Sequence, residues 1–249
     1  MIAKCIIVGV TTFLISYLIG SFSPAFTIGK LFKNIDIREY GSGNPGSTNV
    51  LRVLGAKPAL ITFLLDALKG FLATLLGRLF FGRVLIGTEY EEIFMSISAV
   101  GVVFGHNFPF YLKFKGGKGI ATTFGVILYM SPVIAIILLV FEWIVTILSR
   151  YVSLASVLSC VILPFMTLVY DAILNVDLTI RQIFYQRWYV WCAITILSIL
   201  GVERHSKNII RLINDEENKF YLFKSLKIKV PRQPKESQNN SEDTHNVKQ

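Results

Sequence analysis

Two glycine-rich polar segments contain most of the side chains in this chain that could bind a charged substrate. The first, residues 41–52 (GSGNPGSTNVLR), lies between two long apolar runs and ends in Arg52. Glycine lets a ligand approach the backbone closely, and successive N–H groups in such a loop can form an anion-binding concavity. Hydroxyls add donors, and the arginine fork suits phosphate oxygens. The segment predicts a phosphate site at a membrane surface, although a flexible connector between two helices would have the same composition.

The second segment runs from residues 105–109 (GHNFP) into residues 113–122 (KFKGGKGIAT) and contains three lysines. An apolar run follows its last glycine directly. A helix that starts there would attract anions through its free N–H groups and its macrodipole. The spacing of lysine and glycine does not match the phosphate loop of nucleotide triphosphatases. We therefore expect a second phosphate-binding segment but not a nucleotide triphosphatase.

The composition indicates that these segments are held by membrane helices. Hydrophobic residues make up 53% of the 249 residues, and the formal net charge is +9. A basic chain meets anionic lipids, anionic substrates or nucleic acid. The long apolar runs favour membrane lipids, so we predict no nucleic-acid partner. Cys5, Cys160 and Cys192 all lie in apolar runs, and we therefore expect no disulfide framework, no metal site and no cofactor.

The apolar runs predict an all-α integral membrane protein with about seven transmembrane helices. Pro24 interrupts the first run, the fourth run is short for a crossing, and residues 171–187 are expected to form a polar connector. The predicted spans are residues 2–32, 58–81, 93–111, 119–129, 133–148, 154–170 and 188–201.

Two charged residues, Asp66 and Lys69, lie within the second predicted span and on one face of its helix. Charges in a span are costly, so they usually face a partner or a polar cavity. Two interpretations stay open: a mutual ion pair that sets helix packing, and a role beneath the site.

Lysine and arginine concentrate on one side of the predicted spans, and the positive-inside rule makes that side cytoplasmic. The chain is then a multi-pass protein with its N-terminus outside and its C-terminus in the cytoplasm. Residues 1–219 form the membrane-embedded domain, and residues 220–249 form a basic, disordered cytoplasmic tail. We expect a cytoplasmic-face active site, because this orientation gathers four polar segments there: residues 41–52, 105–119, 150–153 and 205–211.

Three ordered motifs resemble those of the acyl-phosphate-dependent glycerol-3-phosphate acyltransferases of bacterial membranes, the PlsY family. The similarity covers roughly residues 5–219. The first motif corresponds to residues 41–52, the second to residues 105–109 and 114–122, and the third to residues 208–212 (NIIRL), while residues 65–70 (LDALKG) and 150–153 (RYVS) also fit.

One departure follows the third motif. The family usually has Gly-Thr-Glu there, whereas this chain has Asp215-Glu216-Glu217. Only Glu217 keeps the pattern, so the glycine turn is lost.

The resemblance implies a reaction in which an acyl group passes from acyl phosphate to the 1-hydroxyl of sn-glycerol 3-phosphate. The products would be 1-acyl-glycerol 3-phosphate (lysophosphatidate) and phosphate, in the first step of phospholipid biosynthesis. It also implies the bacterial cytoplasmic (inner) membrane as the location. It leaves acyl-chain preference and oligomeric state open.

The same resemblance implies the site residues. Gly116 to Gly119 would wrap the acyl phosphate, while Arg52 and Lys115 would neutralise phosphate charge. The implied phosphate-binding residues are Ser42, Asn44, Arg52, Lys115, Gly116, Gly117, Lys118, Gly119, Ser153 and Arg211, and the implied catalytic residues are His106, His205 and Asn208.

For His106 three roles stay open: a general base, a phosphate contact, or a structural histidine at a helix end. Acyl phosphate is already activated, so we expect direct attack in a ternary complex without an acyl-enzyme and without an essential protein base. A substrate phosphate would take the proton, and His205 and Asn208 would orient the glycerol phosphate.

Two other classes of function have some of the same features. An anion transporter or channel also needs basic residues and broken helices, but it would carry more charges within its spans and show symmetry between its halves. A purely structural membrane protein would not need four converging polar segments.

Overall fold

The computed structural model describes residues 1–174, 177 and 179–220, and the predicted tail beyond residue 220 lies outside the described residues. The described residues form helices and loops, with no strand among them, so the all-α prediction is confirmed. The α-helices are α1 Ile2–Ser21, α2 Pro24–Lys33, α3 Ser47–Leu54, α4 Ala56–Leu76, α5 Glu91–Asn107, α6 Ile120–Met130, α7 Pro132–Ser149, α8 Val152–Leu174, α9 Ile180–Arg204 and α10 Ser206–Ile213.

Five segments are long and apolar enough to cross a membrane: Ile2–Lys33, Ala56–Val84, Thr88–Leu112, Pro132–Ser149 and Val152–Leu174. Helix α9 has 25 residues and also has the length for a crossing. Helix α6 has only 11 residues, so it covers about 16 Å of a hydrocarbon layer of about 30 Å. The number of complete crossings, about seven, stays a prediction.

The first predicted span is divided into α1 and α2 at residues 22–23. Pro24 occupies the first position of α2, where its missing N–H costs nothing, and the Ser23 hydroxyl caps the helix by accepting from the Phe26 N–H at 3.4 Å. The break frees the Phe22 carbonyl, which accepts a hydrogen bond of 2.6 Å from the Lys69 ammonium. The Lys69 ammonium of α4 therefore satisfies a free carbonyl at the C-terminal end of α1.

The polar connector predicted at residues 171–187 is wrong, because most of it is helical. Helix α8 continues to Leu174, and α9 begins at Ile180 behind a Thr179–Gln182 capping box. The polar side chains pair instead of ending the helices: Asp171 accepts from Arg187 and from the Trp191 indole N–H. The charges that suggested a loop are thus satisfied between the two helices.

The bundle is organised around α5, which packs against α1, α4, α6 and α9. Small residues let these helices approach closely, as is common in membrane bundles. A Cβ at Gly105 would overlap the Tyr17 carbonyl of α1, and one at Gly125 of α6 would overlap the Ala67 carbonyl of α4. These close crossings fix α5 against α1 and α6 against α4 beneath the polar end of the bundle.

A smaller apolar cluster holds the first polar segment. Ile28 and Ala25 of α2 and Val50 and Val53 of α3 bury their side chains against Ile35 and Ile37 of the intervening loop and Ala59 of α4. Residues 41–52 therefore rest on a packed platform at one end of the bundle.

Candidate active site

The four polar segments surround one cavity of about 1340 Å³ at the end of the bundle. Its mouth is lined by residues from the two glycine-rich loops, the start of α8 and helix α10. Its deeper part lies between α6, α7 and α8, where the lining becomes apolar, as at Ile127, Leu138 and Leu163. The cavity thus joins a polar mouth to an apolar interior.

All but one of the residues predicted for the site line this cavity. Gly117 lies behind the lining, because its backbone packs on His106. The residues that the structure brings together are Ser42, Asn44, Arg52, His106, Lys115, Gly116, Lys118, Gly119, Ser153, His205, Asn208 and Arg211. Their binding and catalytic roles stay predictions.

The first glycine-rich loop is shaped by Asn49, which is almost fully buried. Its Oδ1 accepts from the Ser42 N–H at 2.8 Å, and its Nδ2 donates to the carbonyls of Ile37 and Tyr40 at 3.1 and 3.0 Å. Gly41 can pass above this amide because it has no Cβ and adopts a φ of +61°. Asn49 satisfies the inner side of the loop, and Ser42 is left at the cavity.

The second loop is held by Arg204 at the end of α9. Its Nε donates to the Gly117 carbonyl at 3.2 Å and its Nη2 to the Gly116 carbonyl at 3.1 Å. The guanidinium carbon lies 5.1 Å from the centre of the Phe108 ring, a cation–π arrangement. This fork fixes the loop from behind.

The N–H groups of Gly116 and Gly117 bond to the carbonyls of Asn107 and His106 at 3.2 and 3.1 Å. They are therefore directed into the protein, and these two glycines contribute close packing to the site. By contrast, the N–H groups of Lys118 and Gly119 have no hydrogen-bond partner within the part of the chain that the structure describes. They lead into the N-terminus of α6, where an anion is favoured.

Beneath this loop, Asp66, Lys69 and His106 form a buried cluster. Lys69 Nζ lies 2.8 Å from Asp66 Oδ1 and 2.9 Å from His106 Nδ1, and His106 Nδ1 lies 3.1 Å from the same carboxylate oxygen. A Cβ at Gly117 would overlap His106 Nε2, so both ring nitrogens are in contact with protein. The ion pair predicted for Asp66 and Lys69 is present, and it lies directly under the site. For His106, this placement favours the structural role among the three considered.

A hydrogen-bonded chain links the second loop to the third motif. Lys118 Nζ donates to Asn208 Oδ1 at 2.6 Å, and Asn208 Nδ2 donates to Glu217 Oε1 at 3.0 Å. Arg211 Nε donates to the other oxygen of the buried Glu217 carboxylate at 2.8 Å. Glu217 therefore orients the side chains that face the cavity.

The departure at residues 215–217 preserves the turn that a glycine would make. Asp215 adopts a φ of +56°, the left-handed region that glycine favours and that aspartate tolerates better than most residues. The Glu216 N–H then bonds back to the Arg211 carbonyl at 2.8 Å, which places Glu217 against Asn208. The expected loss of the turn is therefore wrong.

His205 has a defined tautomer and charge. Its Nδ1–H donates to the Gly201 carbonyl at 2.7 Å, so the lone pair belongs to Nε2. Burial, with the nearby Lys118 ammonium, lowers the pKa of His205 to about 4. The imidazole is therefore neutral at pH 7 and is a weak base there.

The cavity mouth carries an excess of positive charge. Burial lowers the pKa of Lys118 to about 8, opposed by the Glu217 carboxylate, and burial also lowers the pKa of Arg52. Arg52, Arg204 and Arg211 reinforce the positive potential at Lys118, and the Glu217 carboxylate opposes it. Within the described residues, Arg52 forms no direct ion pair. The mouth is therefore suited to a phosphate dianion.

Three residues that shape the site were not assigned a role from the sequence: Asn49, Arg204 and Glu217. Asn49 lies inside the first glycine-rich segment and Glu217 keeps its place after the third motif, so both carried a signal. Arg204 carried none, because an arginine at the end of an apolar run is usual at a membrane surface. No cluster of metal ligands occurs among the residues described.

Sequence comparison identifies similar proteins over most of the chain. The family model described as glycerol-3-phosphate acyltransferase matches residues 10–215. A glycerol-3-phosphate acyltransferase of Alkaliphilus metalliredigens (strain QYMF) is 42% identical over 204 residues, which are 82% of this chain and 92% of that protein. The protein of the same description from Bacillus subtilis (strain 168) is 37% identical over 206 residues, which are 83% of this chain and 94% of that protein.

The fold is also similar to solved structures. The crystal structure of PlsY (YgiH), an integral membrane glycerol 3-phosphate acyltransferase in its glycerol 3-phosphate form, matches with a TM-score of 0.71 and 30% identity, over 86% of this chain and 96% of that chain. The lysophosphatidic acid form of PlsY matches with a TM-score of 0.70 and 30% identity, over 86% and 95% of the two chains.

Proposed function

Because the chain belongs to the glycerol-3-phosphate acyltransferase family, we propose that its acyl donor is an acyl phosphate. The acyl group passes to the 1-hydroxyl of sn-glycerol 3-phosphate. The products are lysophosphatidate and inorganic phosphate. The relative crystallised in a lysophosphatidic acid form supports this choice of product.

One observation carries this proposal: a single cavity has a cationic, glycine-rich mouth and an apolar interior. Acyl phosphate matches this arrangement, because it has a phosphate at one end for the cationic mouth and a hydrocarbon tail at the other for the apolar interior. Glycerol 3-phosphate needs only the polar mouth. Both substrates therefore fit one site without a nucleotide pocket or a carrier-protein surface.

The positions of the residues support the roles proposed for them. Arg52 and Lys118 neutralise phosphate charge, and the free N–H groups at the start of α6 bind the transferring end of the donor. His205 and Asn208 orient the glycerol phosphate beside them. Ser42, Asn44, Lys115, Ser153 and Arg211 complete the polar mouth.

The proposed reaction is a direct attack within a ternary complex. The hydroxyl oxygen bonds to the acyl carbon, the bond from that carbon to the phosphate oxygen breaks, and phosphate leaves. A substrate phosphate, whose second pKa is about 6, accepts the hydroxyl proton. His205 is too weak a base for this step at pH 7, but its Nε2 can accept a hydrogen bond from the glycerol.

The test uses the purified protein with palmitoyl phosphate and glycerol 3-phosphate. We expect phosphate release that depends on both substrates, lysophosphatidate as product, and intersecting double-reciprocal lines. Palmitoyl-CoA and palmitoylated carrier protein should give no direct transfer. Parallel lines, or an acyl-enzyme trapped with palmitoyl phosphate alone, would contradict direct attack. Turnover with palmitoyl-CoA in place of palmitoyl phosphate would contradict the choice of donor.

We place the enzyme in the bacterial cytoplasmic membrane, with its N-terminus outside and its site facing the cytoplasm. The asymmetry of lysine and arginine around the spans supports this orientation. It also matches the chemistry, because a charged, water-soluble acceptor must reach the polar mouth without crossing the membrane.

A further inference from the structure

A polar cluster lies in the apolar interior of the cavity. Glu142 projects from α7, and its carboxyl lies beside the hydroxyls of Ser156 and Ser159 on α8. All three residues line the cavity. A carboxyl within a span is costly and marks a functional site by default.

The cluster lies well below the polar mouth. Ser153 is at the mouth, and Ser159 follows six residues later in α8, which corresponds to about 9 Å along the helix axis. Leu138 of α7 and Leu163 of α8 line the cavity one helical turn deeper. The cluster is therefore part of the wall, with apolar lining beyond it.

Two polar atoms of this cluster lack a hydrogen bond of normal geometry, although the Ser156 and Ser159 hydroxyls lie close enough to interact with the Glu142 carboxyl. Glu142 Oε1 and Ser159 Oγ are buried and make no hydrogen bond of normal geometry in the described part of the chain. Ser159 is about nine-tenths buried, with 8% of its surface exposed. No lysine, arginine or histidine among the described residues forms an ion pair with Glu142.

Several buried hydroxyls in the spans are satisfied within their own helices. Thr62, Thr74 and Thr167 each donate to the carbonyl four residues earlier in their own helix, at 2.8, 2.8 and 3.0 Å. Ser96 does the same in α5 at 2.8 Å. This local bond is the usual way for a helix to satisfy a buried hydroxyl. Ser159, Thr122 and Ser198 do not use it, and of these three only Ser159 lines the cavity, so its hydroxyl is available to a group there.

A plain hydrocarbon chain that filled the cavity would lie against this cluster and leave Glu142 Oε1 and Ser159 Oγ without a hydrogen bond of normal geometry. Leaving buried polar groups without partners costs binding free energy. A chain with a hydroxyl at this depth would satisfy them. We propose that Glu142 and Ser159, supported by Ser156, form a subsite for a hydroxyl group in the middle of the donor's acyl chain. This inference rests on the proposed function, because it assumes that the chain of an acyl phosphate enters the cavity.

The test compares palmitoyl phosphate with a series of hydroxypalmitoyl phosphates whose hydroxyl moves along the chain. For the unaltered enzyme, kcat/KM relative to palmitoyl phosphate should be highest for a mid-chain hydroxyl and should fall on either side of it. Glu142→Leu and Ser159→Ala should each lower that relative value by about tenfold, the loss expected for one buried hydrogen bond. Glu142→Gln should keep the preference, because an amide can still bond to a hydroxyl.

Ser96→Ala is the matched control, since it removes a buried hydroxyl that does not line the cavity. It should leave the preference unchanged.

The inference is overturned if no position of the hydroxyl is preferred, or if Glu142→Leu and Ser159→Ala keep the preference. Failure of the proposed function looks different, because the unaltered enzyme would then not turn over palmitoyl phosphate. Ser159→Ala removes a single oxygen, so the test remains decisive if Glu142→Leu does not fold.

Discussion

Arg52 illustrates how one side chain can carry phosphate recognition. It lies at the cavity without a direct ion pair among the described residues, so its guanidinium can meet a phosphate with two parallel hydrogen bonds. Arg52→Lys should lower kcat/KM about tenfold, and Arg52→Ala at least about a hundredfold, because bonds to charged groups contribute about 1.5–3 kcal/mol each. Lys57→Ala, an exposed charge outside the cavity, should have little effect. A fully active and folded Arg52→Ala would leave Arg52 as a surface charge only.

The low pKa of His205 predicts how the stability of the folded protein depends on pH. Its pKa in the folded protein, about 4, lies below its ordinary value of 6.5, so the unfolded state binds the proton more readily. The neutral histidine stabilises the fold fully above pH 6.5, and this contribution is lost as the pH falls from there towards 4. The Tm in detergent should therefore decrease over this range. His205→Gln should make Tm depend less on pH over this range. An unchanged dependence of Tm on pH would contradict the assignment of His205 as neutral.

A substitution at Gly117 tests whether the close packing of the second loop against His106 matters for activity. A Cβ at this position would overlap the His106 ring, which is itself held by Asp66 and Lys69. Gly117→Ala should therefore displace the loop and lower kcat/KM at least about tenfold, since small misplacements of a site cost about a hundredfold in rate. Gly9→Ala is the matched control, because a Cβ there would make only ordinary contact with Ile97. Normal activity of Gly117→Ala would mean that the loop position does not matter.

At the scale of the helices, Lys69 joins three elements: it pairs with Asp66 in α4, contacts His106 of α5 and satisfies the Phe22 carbonyl at the end of α1. Lys69→Met would leave a buried carboxylate and a buried carbonyl without their partner. We expect a loss of about 3–5 kcal/mol in the free energy of unfolding, measured by denaturation in detergent.

The double variant Asp66→Asn with Lys69→Met should recover part of that loss, because no unpaired charge then remains. If the double variant recovers none of the lost free energy of unfolding, the hydrogen bond from Lys69 to the Phe22 carbonyl, and not the ion pair with Asp66, dominates. Arg83→Met serves as the control, since its pairing with Glu91 is solvent-exposed and contributes little.

The helices also show which parts of the fold can be predicted from sequence. Apolar runs predicted most membrane helices, because burial in lipid depends on composition. The runs did not predict where α8 and α9 meet, since Asp171 and Arg187 pair across space and a sequence pattern cannot display that contact. The motifs predicted which loops meet at the cavity. They could not predict that Gly116 and Gly117 turn their N–H groups inward, because that depends on how α5 presents its last carbonyls.

At the scale of the molecule, the distribution of lysine and arginine predicts the orientation in the membrane. A reporter fused after Gln249 should be cytoplasmic, and one inserted near Thr88, between α4 and α5, should be external. Fusion reporters in whole cells measure both positions. Finding the two on the same side would remove the arrangement that places the cavity mouth in the cytoplasm.

Asp215 has a consequence for how protein families are recognised. The family's glycine is absent, yet the chain turns in the left-handed region and delivers Glu217 to Asn208. In this chain the backbone angle at residue 215, and not a glycine, brings Glu217 to Asn208. A motif written with glycine alone at this position would miss this chain, whereas a motif that also allows aspartate and asparagine, which reach the left-handed region, would match it.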